Sequence, residues 1–212
     1  VSGFSFGNDA YTEIPSGTLG LATSFGGFGS FSTFAGGIGI DYVLAPRMHL
    51  RPMLNFGFDS GKTKTESGTT TTETDLPNNF LFGVNASFLF DLMQTRAVPY
   101  VGAKAGFFMD NTSSTTETDV GGIVTVVDNT DRTMNISVDG ILGARVHLND
   151  YFCFFGEFTL GFTLQIEKQE TETSTTVGGT TTTTTNTTTT TRPNFGTGST
   201  FGGNVGLTIY FF

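Results

Sequence analysis

The chain has 212 residues, 29 of them Gly and 23 Phe, with no Trp and a formal net charge of -9. Only 14% of residues are charged, far below the roughly 25% of an average soluble domain, so water is not expected to cover the whole surface. Ten scattered Lys and Arg residues against nineteen Asp and Glu exclude a nucleic-acid partner, which needs clustered cations, and a lone Cys excludes a disulfide within the chain.

Residues 1–17 are rich in Gly and polar groups and lack periodicity; they read as a leader or a short plug. Residues 18–212 read as one β domain. Its first strand is expected over Thr18 to Phe28, with Leu19, Leu21 and Phe25 on one parity, and the second over Phe34 to Leu44, with Ile38, Ile40, Tyr42 and Leu44 opposed to Gly37, Gly39 and Asp41. The third, His49 to Asp59, sets Leu50, Leu54, Phe56 and Phe58 against His49, Arg51 and Asn55. Pro52 cannot donate to a ladder, so it is expected near a strand end or at a bulge.

The fourth strand, Asn79 to Phe90, places Phe80, Phe82, Val84, Phe88 and Phe90 on one face. The fifth, Tyr100 to Met109, places Val101, Ala103, Ala105, Phe107 and Met109 against Gly102, Lys104 and Gly106. The clearest alternation runs from Met134 to Ile166. Met134, Ile136, Val138, Leu142 and Val146 oppose Ser137, Asp139, Arg145 and His147; after a turn at Asn149 to Tyr151, Phe152, Phe154, Phe158, Leu160 and Phe162 oppose Cys153, Glu157, Thr159 and Thr163. The eighth strand is expected over Thr200 to Phe212.

Across all eight strands no charged residue falls on the apolar parity; Asp41, Arg51, Lys104, Asp139, Arg145 and Glu157 all take the other. A lipid-facing Lys or Arg costs about 2–4 kcal/mol at the bilayer midplane, so this segregation is what lipid exposure demands. Two soluble sheets packed face to face could share the parity, but the many glycines on the polar side suit the crowded interior of a small barrel. Strands of about ten residues span the hydrocarbon layer, and spanning sheets must close, because lipid satisfies no open edge. No apolar run reaches the length of a membrane helix.

Connections after the second, fourth and sixth strands are short, while 60–78, 110–133 and 167–199 are long. Each long one places β-favouring residues around a turn dipeptide. Ser67-Gly68 precedes Thr69 to Thr72, Gly121-Gly122 precedes Ile123, and Val177-Gly178-Gly179 precedes a threonine run that includes Thr183. These read as hairpins that prolong the wall at one end. The alternative, a Thr-rich segment without fixed structure, weighs most at Thr187 to Thr191, where Asn186 and Pro193 interrupt the pattern.

This strand plan, the segment Pro99-Tyr100-Val101-Gly102-Ala103 and the terminal run Gly206 to Phe212 resemble the small eight-stranded outer-membrane β-barrels of diderm bacteria, the OmpA- and OmpX-like, porin-like group. The resemblance covers residues 18–212. It implies an all-β, closed, antiparallel, up-and-down eight-stranded membrane barrel with long Thr-rich hairpins at one end, in the outer membrane or at the cell surface, with the lipid bilayer as partner. That family commonly ends in an aromatic signal, here Tyr210, Phe211 and Phe212. The family pattern makes alternate residues counted back from the last one apolar, whereas here those are Tyr210, Thr208 and Gly206 and the apolar parity ends at Phe211.

The residues give no enzyme, metal or cofactor motif. His49 and His147 lie beside short turns on the inward parity, far from the long loops, and read as structural; Cys153 reads as a small filler. Lys104, Asp139, Arg145 and Glu157 share a face on neighbouring strands and read most simply as a salt-bridge network filling the lumen, with an ion pathway as the lesser reading. The uncharged Thr hairpins expose backbone edges with few protecting lysines. They point to assembly or surface contact through Thr69, Thr72, Gly121, Gly122, Val177, Gly178, Gly179 and Thr183, as an adhesin, a lattice or a filament subunit, with O-glycan attachment as a further use of the same threonines. A narrow channel for small solutes is the alternative function, and a secreted soluble β-protein that polymerises is the third.

Overall fold

The computed structural model describes residues 14–26, 34–67, 70–196 and 203–211. These form nine antiparallel strands: β1 (Leu19–Gly26), β2 (Phe34–Ala45), β3 (Met48–Ser67), β4 (Thr70–Asp91), β5 (Ala97–Val120), β6 (Ile123–His147), β7 (Phe152–Val177), β8 (Thr180–Gly196) and β9 (Gly203–Phe211). Eight of them make a ring in the order β1-β2-β3-β4-β5-β6-β7-β9, with β9 returning to β1 and β6 pairing β7. The ninth, β8, pairs the hairpin-side half of β7, from Gly161 to Val177, on the same side as β9, which pairs Phe152 to Phe158.

The strand faces are those the alternation requires. Leu142 is 60% exposed and Phe158 47%, while Arg51 and Arg145 are 1% exposed. The apolar parity therefore points outward all round the ring, and the inner side holds the polar parity, which sets aside the sandwich reading. On β6 the outward apolar positions run from Met134 to Val146. At about 3.4 Å per residue and a tilt of about 40°, that run rises about 30 Å, the thickness of a hydrocarbon layer. Aromatics stand at both ends of the β3–β4 band, paired at the hairpin end and single at the other. Phe58 faces Phe80 and Phe56 faces Phe82 towards the hairpin end, Leu50 faces Phe88 and Met48 faces Phe90 towards the short turns, and Leu54–Val84 and Pro52–Ala86 occupy the middle. Rings at both interfaces and aliphatics between them are the distribution that a bilayer favours.

The interior is crowded because glycines on one strand receive rings from the next. A Cβ on Gly143 would lie 2.5 Å from Cζ of Tyr100, so glycine is required there for Tyr100 to lie across β6.

Two features bear on the sequence expectations. The return arm of the third long hairpin is itself a strand, β8, on the same side of β7 as β9, so the ring keeps the eight positions expected. β8 passes unbroken through Thr187 to Thr191, because every residue from Thr180 to Gly196 has a partner on β7. Gly203 is the first described residue of the last strand; the expected start at Thr200, like residues 1–13 and Phe212, falls outside the described residues. Pro52 sits neither at a strand end nor at a bulge. The β2–β3 ladder instead has a gap between the pairs Gly39–Met53 and Tyr42–Leu50, which is where Pro52 would face Ile40, and the missing N–H costs the ladder its rungs there.

Candidate functional site

Two places carry more chemistry than their surroundings: the interior at the short-turn end, and the wall that β3 to β8 raise beyond the apolar band.

The interior cluster is assembled from strands all round the ring. Asp41 on β2, His49 and Arg51 on β3, Asp91 at the end of β4, Arg145 on β6 and Tyr210 on β9 are all buried. His49 Nδ1 lies 2.9 Å from Asp41 Oδ1 and its Nε2 3.3 Å from Asp91 Oδ2. Arg145 Nη2 lies 3.3 Å from Asp91 Oδ1, and the Tyr210 hydroxyl donates to Asp41 Oδ2 at 3.2 Å. Arg51 Nη1 donates to Glu157 Oε1 at 2.6 Å, and the Tyr100 hydroxyl donates to the same oxygen at 2.8 Å. The guanidinium of Arg51 stacks on Phe155 at 4.2 Å, and that of Arg145 on Tyr100 at 4.8 Å. Two guanidiniums, three carboxylates and an imidazole thus cross-link the ring from within. Removing one member would strand a charge, which is the costly case for buried pairs.

Below the cluster, Ile14 packs with Val43, Cys153 and Tyr210, and the backbone N–H of Gly17 donates to the Val43 carbonyl at 2.8 Å. The described part of the N-terminal segment thus packs against β2, β7 and β9 at the short-turn end. Cys153 is buried in this apolar contact, as a filler. His147 stacks on Tyr210 with ring centroids 6.2 Å apart.

The four charges singled out in the sequence fall into two groups. Lys104 Nζ lies 3.5 Å from Asp139 Oδ2, a separate pair nearer the hairpin end, whereas Arg145 and Glu157 belong to the cluster just described. Sequence reasoning missed the part played by Asp41, His49, Arg51 and Asp91. The inward parity of Asp41, His49 and Arg51 was visible and Asp91 fell in the turn after the fourth strand, but nothing in a linear pattern reports that the ring brings β2, β3 and the end of β4 opposite β6. At the C-terminus, Tyr210 points inward and Phe211 outward with β9 in unbroken register from Asn204 to Phe211, so the family's apolar parity is displaced by one residue without any bulge to absorb it.

Beyond the band, β5 and β6 stay paired from Met109–Met134 to Val120–Ile123, and β6 and β7 from Met134–Ile166 to Val124–Thr176. Gly121 and Gly122 (φ 61° and 86°) and Gly178 and Gly179 (φ 57° and 83°) close two-residue turns whose left-handed backbone matches the strand twist, which is why the sequence has glycine pairs there. Thr69 lies outside the described residues; Thr72 pairs Thr65 across the β3–β4 hairpin. On the outer face of the last hairpin, hydroxyl meets hydroxyl: Ser174 with Thr183 at 2.9 Å and Thr176 with Thr181 at 2.8 Å. On the concave face Thr173, Thr175, Val177, Thr180, Thr182 and Thr184 line a recess of about 510 Å³.

The wall has two edges. Among the described residues, β8 pairs only β7, and β3 from Asp59 to Ser67 pairs only β4, because β2 ends at the level of Phe58. Thr180 to Thr189 are exposed at every position, on both faces, whereas the neighbouring residues of β7 are mostly half-buried. No charge interrupts β8 before Arg192.

No family model matches the chain, and no curated protein does. Two solved structures are similar in outline. A major outer membrane protein from Thermus thermophilus is 12% identical, with 92% of this chain and 98% of that one covered and a TM-score of 0.42. CarO from Acinetobacter baumannii is 12% identical, with 93% and 98% covered and a TM-score of 0.32. Neither likeness singles out the OmpA- and OmpX-like group.

Proposed function

We propose that the chain is a non-enzymatic outer-membrane β-barrel whose ring sits in the bilayer and whose Thr-rich wall stands outside it as a contact and assembly surface. The observation that carries the membrane reading is the inversion of the ring: Leu142 and Phe158 face out while Arg51 and Arg145 are sealed within. Water does not favour such a surface over a whole circumference; lipid does.

The contact role rests on β8. A long, uncharged edge rich in β-favouring residues offers unpaired N–H and C=O groups to another strand, and lysine, the usual guard of such edges, is absent from it. The channel reading has less support, because an eight-stranded ring is just wide enough to be filled by side chains and the cluster from Asp41 to Tyr210 fills it at the short-turn end.

The membrane reading is tested by refolding the protein into phosphatidylcholine vesicles. The expected result is a band that shifts on heating before electrophoresis and β-strands that resist protease over the ring; a protein that remains in the aqueous fraction refutes it. The contact reading is tested with Thr183→Lys and Thr185→Lys together. Light scattering of the refolded protein should show self-association that the double variant loses, while equal association by both would remove β8 from the contact. Steady single-channel currents across a planar bilayer would favour the channel.

A further inference from the structure

We propose that the outer face of the ring carries a site for the phosphate of an anionic lipid headgroup, built on Arg132 of β6 and Lys168 of β7. The proposal rests on the membrane reading above and extends it from a belt of fat to a specific lipid contact.

The site lies on one rung of the sheet. Asn111, Arg132, Lys168 and Thr189 are consecutive cross-strand partners over β5, β6, β7 and β8, all exposed, all on the outward parity. Each brings a donor: an amide, a guanidinium, an ammonium and a hydroxyl. No carboxylate shares the rung. The rung one step towards the ring is Met109, Met134, Ile166 and Thr191, the last apolar layer on these strands. The rung one step outward is Ser113, Thr130, Glu170 and Thr187, and the next holds Asp128 and Glu172. The basic rung is therefore confined to the single level where hydrocarbon gives way to headgroup, and acidic residues begin immediately above it.

Two cations directly opposite one another on adjacent strands repel, and such a pair destabilises a sheet unless an anion lies between them. In a chain of net charge -9 with ten Lys and Arg in all, placing two of them face to face needs a reason. Among the described residues Arg132 has no carboxylate within salt-bridge distance. Lys168 reaches Glu170 at 3.3 Å, but both side chains are nearly half exposed, so that bridge is weak and exchangeable. A phosphate seated over the rung would accept from both cations at once, and the acyl chains below it would lie along Met134, Ile136 and Ile166. The neighbouring apolar layer is what selects a lipid over free phosphate, since only a lipid engages both levels.

The test is native mass spectrometry of the refolded protein in detergent, titrated with dioleoylphosphatidylglycerol, with dioleoylglycerol, and with inorganic phosphate. Wild type should hold a phosphatidylglycerol adduct that R132Q/K168Q binds about tenfold more weakly, since each cation near an anionic lipid surface contributes substantially. Dioleoylglycerol binding should be the same for both proteins, and E170Q, which frees Lys168, should bind phosphatidylglycerol more tightly than wild type. Equal phosphatidylglycerol binding by wild type and R132Q/K168Q, with both folded and heat-modifiable, overturns the site and leaves the membrane reading standing. Inorganic phosphate that displaces the lipid at equal concentration overturns the lipid assignment. A wild type that neither refolds in detergent nor enters vesicles overturns the membrane reading and this site together.

Discussion

Below Met134 and above it, β6 is two different strands made of one chain. From Met134 to Val146 its outward residues are apolar and exposed and its inward ones are mostly polar and mostly buried. From Val124 to Arg132 both faces are polar or β-branched, and most positions are half-buried. β7 divides at the same level, between Ile166 and Lys168. The backbone pairing does not change across the boundary; in the proposed membrane setting only the solvent does. Alternation is thus the signature of a strand between two unlike media, and its loss marks the place where both faces meet water.

That contrast can be broken most severely from inside. Arg145→Leu should cost about 3–5 kcal/mol, because it leaves Asp91 buried without its guanidinium partner and takes one of two from Asp41. The urea midpoint of the protein refolded in vesicles is the measurement, and a change within error would mean that the cluster is not the brace it is described as. Next comes the outer face. Leu142→Arg should cost about 2–4 kcal/mol in a bilayer, whereas Ser174→Arg, on the same parity but above the boundary, should stay within about 0.5 kcal/mol. Equal costs from the same midpoint measurement would erase the distinction between the two halves. An effect smaller than those of Arg145→Leu and Leu142→Arg is expected at the tip: Gly178→Ala forces a side chain into a left-handed backbone at a cost of about 1 kcal/mol. Faster amide exchange should appear in Val177 and Thr180, with the global midpoint unmoved.

The ring was largely legible in the sequence because parity is a local property: Leu142 and Arg145 declare their faces without knowledge of the other strands. The interior partners were not legible. Glu157 pairs with Arg51, 106 residues away, and Arg145 reaches Asp91 from across the ring, so the expected grouping of Lys104, Asp139, Arg145 and Glu157 joined neighbours in sequence order that the geometry separates. β8 was obscure for the opposite reason. A run of identical threonines has no alternation to read, and its strand character comes from β7, which supplies a partner for every residue. The basic rung was missed as well, since Arg132 and Lys168 meet only through the β6–β7 register. The opposition of charges at that register, counted outward from the turn at Asn149 to Tyr151, is the signal that could have found it.

The glycine pair at Gly178 and Gly179 has one more implication. With threonine opposite threonine at Thr175–Thr182 and Thr176–Thr181, the tip alone fixes which residues meet. Two extra threonines on each arm would lift the summit by about 7 Å and leave the ring untouched. The height of this projection is therefore a dimension set by the number of threonine pairs alone, like the slide of a ruler, and it can change without redesigning the ring beneath it.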